Sequence, residues 1–320
     1  MKIFRHLSPE ARKQTSGSVL AIGIFDGFHL GHQKIIKKVK AEASSRGSLA
    51  GVLSFYPHPE RVLNHRPIKM IQTLEQRLQA LERAGLDFCL LFDLDDKLSR
   101  LSGEVFARQI IKESLGVRQV VVGHNFRFGY QRQCGVEDLK RFGRLFDFKV
   151  TALEPVVSHG RLISSSLIRE LLEKGKVEEA RQLLGHPYEI SGRAISGHRL
   201  GHQLGYPTIN LETANDILPA GVFISLTKIN KEVFPSVSNI GVRPTFGGQT
   251  IQVESHLLDV TRKVCRQEVS LFLLKRIRAE KKFDSPQALR EAITRDINLA
   301  RNFFTGTAGR SLIKSAQLDF

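Results

Sequence analysis

Cysteine is scarce and scattered in this sequence. The three are Cys89, Cys134 and Cys265. No two of them form a C-x-x-C pair, which excludes a disulfide framework and a zinc ribbon. Long apolar runs are missing too, and none approaches the roughly 20 residues of a membrane span. The opening stretch Met1-Lys2-Ile3-Phe4-Arg5-His6 lacks the apolar core of a signal peptide. These absences predict a cytoplasmic protein that does not engage a membrane. Internal repeats, low-complexity segments and a basic tail are also lacking.

What is present points to a globular protein that handles anions. A length of 320 residues predicts two domains, and 41% hydrophobic residues suffice for proper cores. The formal charge of +16 attracts nucleic acid, acidic membrane or phosphorylated small molecules. Its excess of Lys and Arg runs through both halves, whereas a nucleic-acid binder concentrates charge on one face or segment.

The first half alternates strand-like and helix-like segments. Strands are predicted at 19–24, 49–55, 88–92, 117–122 and 150–153. Helices are predicted from Gln33 to a C-cap at Gly47, from the capping-box spacing of Thr73 and Gln76 to Gly85, and across Val105 to Leu115. Repeated β-α-β units predict a parallel sheet covered by helices, an α/β domain of Rossmann-like form. Its ligands bind beyond the carboxyl ends of the strands. Near Gly185 the rhythm changes. Segments at 189–195, 222–229, 233–240, 251–258 and 269–274 read as strands without helices between them, which predicts an antiparallel β-barrel. A closing helix starts at Ser285-Pro286, an N-cap followed by proline in the first turn, and runs to about Phe304.

The strongest local signal is Gly23-Ile24-Phe25-Asp26-Gly27-Phe28-His29-Leu30-Gly31-His32-Gln33. It follows a predicted strand and opens a predicted helix. A helix N-terminus offers free N–H groups and the positive end of a dipole, which suits phosphate. Gly27 and Gly31 let backbone approach a polyphosphate closely. His29 and His32 are three apart and point the same way at a helix start. Two such imidazoles stabilise charge on phosphate oxygens, bind a metal if a third ligand joins them, or are ordinary surface residues.

Further segments stand at strand ends. Phe55-Tyr56-Pro57-His58-Pro59 follows the second strand, and Gly123-His124-Asn125-Phe126-Arg127-Phe128-Gly129 follows the fourth. Ile163-Ser164-Ser165-Ser166-Leu167-Ile168-Arg169 opens a helix with hydroxyls. In the second half, GRAISGHRLGHQLGYPTINL spans 192–211, with Gly197, Arg199, Gly201 and Gly205 in a loop able to wrap phosphates. Thr208 and Asn210 lie two apart and so share one face of an extended strand. Both are hard oxygen ligands suited to Mg²⁺.

Taken in order, these segments resemble the bacterial bifunctional riboflavin kinase/FAD synthetase family over nearly the whole chain. Asn239-Ile240-Gly241-Val242-Arg243-Pro244-Thr245-Phe246 and Glu280-Lys281-Lys282-Phe283-Asp284-Ser285 match it as well. The resemblance implies an FMN adenylyltransferase domain at 1–185 and a riboflavin kinase domain at 186–320. It makes His29 and His32 catalytic, with Gly23, Phe25, Asp26, Gly31, Ser164, Ser165, Ser166 and Arg169 on ATP. It puts His58, Asn125, Phe126 and Arg127 on the flavin. In the kinase it assigns Gly197, Arg199, Gly201, Gly205 and Pro207 to phosphates and Thr208 and Asn210 to Mg²⁺. Glu254, in the stretch Val253-Glu254-Ser255-His256, becomes the base. The chain departs from the family pattern at Ser166 for Thr, Ile209 for Ala, His202 for Arg, and His124 or Asn125 where an acidic residue is common.

Riboflavin, FMN, FAD, ATP and pyrophosphate are the expected partners, with no nucleic acid and no membrane, for a monomer or weak homo-oligomer. The competing readings are an H-x-G-H adenylyltransferase for another phosphorylated acceptor and a basic nucleic-acid-binding protein on the same fold. The lack of a K-M-S-K-S-like loop argues against a tRNA synthetase.

Overall fold

In the computed structural model, residues 1–63, 67–93, 96–158, 160–195, 205–245, 248–260 and 264–317 are described. The chain divides into two compact units. One comprises Met1–Lys69 and Leu74–Ser164, the other Met70–Thr73 and Ser165–Phe320.

The first unit is built on six parallel strands: β1 (Lys2–Phe4), β2 (Val19–Ile22), β3 (Ala50–Phe55), β4 (Phe88–Phe92), β5 (Gln119–Gly123) and β6 (Lys149–Leu153). Their order across the sheet is β1-β4-β3-β2-β5-β6, and a short antiparallel ribbon of β7 (Val157–Ser158) and β8 (Arg161–Leu162) follows in sequence. β2 and β4 are apolar along their whole length, and β3 and β5 nearly so, because both faces of the central sheet are covered. Leu20, Ile22, Leu53, Leu90 and Val122 pack on one side with Ile111 and Phe142. The alternate residues Val19, Ala21, Val52 and Leu91 pack on the other with Ile36, Val39 and Leu81.

The helices of this unit are α1 (Pro9–Thr15), α2 (Leu30–Ser44), α3 (Pro59–Leu63), α4 (Leu74–Arg83), α5 (Asp96–Ser99), α6 (Gly103–Val105) and α7 (Val136–Leu145). α2 begins at Leu30, three residues before the predicted start, because His29 caps it. The segment predicted as a helix through 105–115 is a π-helix, Phe106–Ser114. It ends with the Leu115 N–H donating to the Ile110 carbonyl, five residues back, at 3.1 Å. Wider i→i+5 turns leave no trace in hydrophobic spacing. β1 was not predicted, and its three residues pair with β4.

The second unit begins with α8 (Ser165–Glu173) and α9 (Val177–Leu184), separated at Gly175, whose φ of +70° suits glycine. Six antiparallel strands follow: β9 (Tyr188–Ile195), β10 (Ile209–Thr213), β11 (Gly221–Ile229), β12 (Glu232–Thr245), β13 (Gly248–Leu257) and β14 (Glu268–Arg278). They close into a barrel of order β10-β13-β12-β11-β14-β9. The closing helix α10 (Pro286–Thr305) starts at the expected cap, with Ser285 Oγ accepting from the Ala288 N–H at 3.2 Å. A further helix not predicted, α11 (Thr307–Gln317), follows it.

On β11, Ile224 and Leu226 pack outward with Ile297, Ala300 and Phe304 of α10. The alternate Ser225 and Thr227 turn inward and are fully buried. There Ser225 hydrogen-bonds Ser236 at 2.8 Å and Ser238 at 2.7 Å, while Thr227 bonds Ser236 and Ser255, both at 2.8 Å. Every hydroxyl in this chain finds another, so the polar interior carries no desolvated orphan. The unit division differs from the break expected at Gly185 by the helices α8 and α9. α9 packs with the barrel, where Glu178 accepts from the Arg276 N–H at 3.3 Å.

The three thiols stand in contrasting surroundings. Cys89 lies on β4 with 0% exposure, and burial pushes its pKa up to about 12. Cys134 is half-buried and also raised, chiefly by burial, whereas Cys265 is exposed. Because the thiolate is the reactive form, a thiol-specific disulfide reagent at pH 8 should modify Cys265 first and Cys134 more slowly. Cys89 should react only once the first unit unfolds. Rapid modification of all three in native protein would contradict this burial.

Candidate active sites

β3, β2 and β5 are neighbours in the sheet. Being parallel, they bring the loops 56–58, 23–29 and 124–128 out along one edge, at the carboxyl ends. The chain crosses from the β4 side of β2 to the β5 side between these loops, and such a switch point opens a crevice for nucleotides.

The loop after β2 is unusually bent. Phe25 has φ +60°, Gly27 +83° and Phe28 +39°, so two non-glycine residues sit in the left-handed region. The Phe25 ring turns back over Gly23, where a Cβ would lie 3.2 Å from it. The turn delivers His29 to the N-cap of α2, 6% exposed, with Nδ1 accepting from the His32 N–H at 3.3 Å. Gly31 is small for the same reason, since a Cβ there would lie 3.1 Å from the His29 ring. An accepting Nδ1 leaves the ring proton on Nε2, so His29 presents a donor there. The His29 and His32 rings stack, centroids 3.6 Å apart, and Phe25 meets His32 edge-on at 5.2 Å. The pair expected from sequence is therefore one unit at a helix N-terminus. Among the described residues no group of three His, Cys, Asp or Glu could hold a metal ion, so a third ligand for the pair does not emerge.

The neighbouring loops are anchored locally. His58 Nδ1 accepts from the Glu60 N–H at 3.1 Å at the start of α3. Asn125 and Arg127 are exposed, and Phe126 stacks on buried Phe128 at 5.4 Å. Arg132 reaches across from the β5 side to Glu60 at 3.1 Å. Ser164 ends the first unit. Ser165, Ser166 and Arg169 stand on α8 in the second.

One residue of this site carried no sequence signal. Arg77 of α4 is 2% exposed. Its Nη1 donates to the Ile24 carbonyl at 3.1 Å and its Nη2 to the Phe55 carbonyl at 3.2 Å. Ser54 Oγ also donates to Ile24 O, at 3.2 Å. Burial depresses the Arg77 pKa, and the carboxylate of Asp26, itself 1% exposed, opposes that depression.

On the barrel, register assembles a second constellation. Glu254 of β13 lies directly opposite Asn210 of β10 on one side and Asn239 of β12 on the other. All three are half-buried and share the outer face, while Ile209, Ser238 and Ser255 turn inward. Asn239 is the member that sequence spacing did not single out. The His256 ring, two residues along β13, hydrogen-bonds the Pro207 carbonyl through Nδ1 at 2.9 Å. Tyr206 packs edge-on against His256 and bonds Thr294 of α10 at 2.8 Å. The segment leading to Thr208 and Asn210 is thus tied to the strand bearing Glu254. Gly205 has φ +88°. Gly197, Arg199 and Gly201 lie outside the described residues.

A family model described as FAD synthetase matches residues 11–167, and one described as riboflavin kinase matches 184–304. Bifunctional riboflavin kinase/FMN adenylyltransferase of Escherichia coli (strain K12) is 33% identical, over 95% of this chain and 98% of that protein. The protein of that name from Bacillus subtilis (strain 168) is 34% identical, over 92% and 95%. A crystal structure described as a macrolide-efflux protein from Streptococcus pneumoniae aligns with TM-score 0.85 at 27% identity, over 94% of this chain and 99% of that chain. Among the described residues, no helix is long and apolar enough to cross a membrane. Two family models in succession, and relatives of one name matching nearly end to end, make this chain a member of the bifunctional riboflavin kinase/FMN adenylyltransferase family.

Proposed function

We propose that the chain performs its family's two reactions with the side chains gathered above. The enzyme phosphorylates riboflavin to FMN and adenylylates FMN to FAD, with ATP as co-substrate in each. The observation that carries the residue assignment is convergence: motifs far apart in sequence meet at one sheet edge in the first unit and in one register row on the barrel. We assign adenylyl transfer to residues 1–185 and the kinase to 186–320, in a cytoplasmic monomer or weak homo-oligomer. Adenylyl transfer to another acceptor and nucleic-acid binding are not favoured, since both family models concern flavins.

In adenylyl transfer, an FMN phosphate oxygen attacks the α-phosphorus of ATP. The bond from that phosphorus to the bridging oxygen breaks, and pyrophosphate leaves with the electron pair. His29 Nε2–H and His32 stabilise the charge that develops on the phosphoryl oxygens. Gly23, Phe25, Asp26 and Gly31 shape the loop around ATP, and Ser164, Ser165, Ser166 and Arg169 add hydroxyl and guanidinium donors. His58, Asn125, Phe126 and Arg127 receive the flavin nucleotide.

In the kinase reaction, the riboflavin 5′-hydroxyl attacks the γ-phosphorus of ATP, ADP leaves, and Glu254 accepts the hydroxyl proton. Positioning and charge stabilisation carry most of phosphoryl transfer. Thr208 and Asn210 offer uncharged hard oxygens, a donor set that fits Mg²⁺ shared with substrate phosphates. Bound there, Mg²⁺ would supply charge neutralisation on the phosphates. Gly197, Arg199, Gly201, Gly205 and Pro207 would wrap the polyphosphate.

His29 has two roles to separate, cap and donor. Asparagine is a good N-cap, so His29→Asn keeps α2 capped while removing Nε2–H. FAD formation from supplied FMN should fall about 10²–10³-fold, the usual cost of one preorganised donor. FMN formation should continue. A His29→Asn enzyme with undiminished FAD formation would reduce His29 to a cap.

Glu254→Gln retains shape without basicity. It should slow riboflavin phosphorylation by about 10²–10⁴-fold with ATP affinity little changed, and supplied FMN should still become FAD. Asn210→Ala should instead weaken productive ATP binding at low Mg²⁺. Normal FMN formation by Glu254→Gln would sink the base assignment.

Domain independence is checked with fragments. Since α9 packs on the barrel, residues 165–320 should fold, phosphorylate riboflavin and make no FAD. They should melt higher than 186–320. Equal melting of the two fragments would show that α8 and α9 contribute nothing to the barrel.

A further inference from the structure

We infer that Arg77 is a positioning residue for adenylyl transfer, a buried guanidinium that locks together the two loops carrying the His29/His32 pair and His58. The inference rests on the assignment of adenylyl transfer to that pair.

Arg77 lies on a helix and never reaches the sheet edge as a solvent-facing group, being 2% exposed. Its two terminal nitrogens divide between two chains. One bonds Ile24 O at 3.1 Å, the last carbonyl before the left-handed turn, and the other bonds Phe55 O at 3.2 Å, the last carbonyl before Tyr56-Pro57-His58. The Ile24 carbonyl lies just beyond the end of β2, and the Phe55 carbonyl belongs to the last residue of β3. They are the points at which the two loops would otherwise be free to rotate away from each other. The planar fork of arginine spans two acceptors at fixed separation, which a lysine ammonium does not reproduce.

The turn beyond Ile24 needs such an anchor. Phe25 and Phe28 hold φ values of +60° and +39°, conformations that persist only where surrounding contacts over-determine them. Ser54 Oγ bonds the same Ile24 carbonyl at 3.2 Å, and Gln33 Nε2 bonds the Phe28 carbonyl at 2.9 Å. Asp26, between the two bent phenylalanines and 1% exposed, supplies a negative charge that favours the charged guanidinium. Arg77 thus fixes the carbonyl from which the histidine loop departs. A packing role alone would be met by an apolar side chain of similar length, without a charge buried between two loops.

The test uses the full chain with Arg77→Lys and Arg77→Met, assayed for FAD formation from supplied FMN, for FMN formation from riboflavin, and for protection of the Cys89 thiol as a report of an intact first unit. Displacement of reacting groups by about 1 Å typically costs 10²-fold. Both variants should therefore lose about that factor in kcat for FAD formation, with KM for ATP and FMN changed by no more than a few-fold. FMN formation should be unaltered. In Arg77→Ala, millimolar methylguanidinium should restore part of the lost kcat, whereas methylammonium should not. Combined with Ser54→Ala, the losses should be non-additive, because both donors serve one carbonyl.

If Arg77→Met exposes Cys89, the comparison passes to Arg77→Lys under conditions where Cys89 stays protected. Full kcat in a variant with Cys89 protected overturns the inference. So does a loss confined to KM, or one that vanishes at a lower temperature as the unit regains stability. A His29→Asn enzyme that still makes FAD normally, beside a crippled Arg77→Lys, would instead overturn the placement of the reaction at the histidine loop.

Discussion

Parallel pairing of β2 with β3 on one side and β5 on the other is the constraint from which the proposed nucleotide site follows. Parallel strands finish along a common edge, so the three connecting loops emerge side by side whatever their sequence separation. The edge is also where ladder hydrogen bonds run out. Backbone carbonyls there must find partners elsewhere, because a buried unpaired polar group is costly. Ile24 and Phe55 find them in Arg77 and Ser54. α2 adds the complementary group: N–H donors at its first turn, one of them taken by His29. Acceptors satisfied at the strand ends beside a helix N-terminus suit the anion binding proposed for this edge.

The barrel reaches a comparable end by a different rule. In antiparallel pairing, residues directly opposite one another lie close, about 4.5–5.5 Å between Cα atoms. Asn210, Glu254 and Asn239 form such a row across β10, β13 and β12. A slip of one residue would turn Glu254 inward and Ser255 outward. The buried hydroxyl chain of Ser225, Thr227, Ser236, Ser238 and Ser255 opposes that slip. An apolar interior would pack tolerably in several registers, whereas mutual hydroxyl bonds are satisfied in one.

The parts legible in sequence are those in which a local pattern determines a local structure. The H-x-G-H loop, the proline-led start of α10 and the alternating barrel strands all signal themselves within a dozen residues. The Gly-rich turn was readable as a tight strand-to-helix loop, although nothing in it announced that phenylalanines as well as glycine would occupy left-handed positions. The missed features depend on distant partners. β1 is a strand only because β4 offers it an edge. The π-helix differs from an α-helix by one residue per hydrogen-bonded turn, which spacing over nine residues does not resolve. Asn239 gains its place beside Glu254 through register set by a long hairpin. Arg77, between Gln76 and Leu78, reads as a charge on the wet face of an amphipathic helix. That it points inward follows from acceptors left open at two strand ends, and these are visible only after the sheet is assembled.

Arg77 also shows why a buried charge is tolerable in this place. Desolvating an ion costs several kcal/mol even after the protein relaxes. Two carbonyls at 3.1 and 3.2 Å and the carboxylate of Asp26 oppose that cost, and the carbonyls are available where β2 and β3 end. The guanidinium and the bent loop therefore stabilise each other. Without the open carbonyls the guanidinium loses both its hydrogen bonds, and without the charge the strained turn, at about 1–3 kcal/mol for each left-handed non-glycine residue, loses the anchor that opposes its relaxation. Each unfavourable element is the other's compensation, and both are concentrated at the edge where the chemistry is assigned.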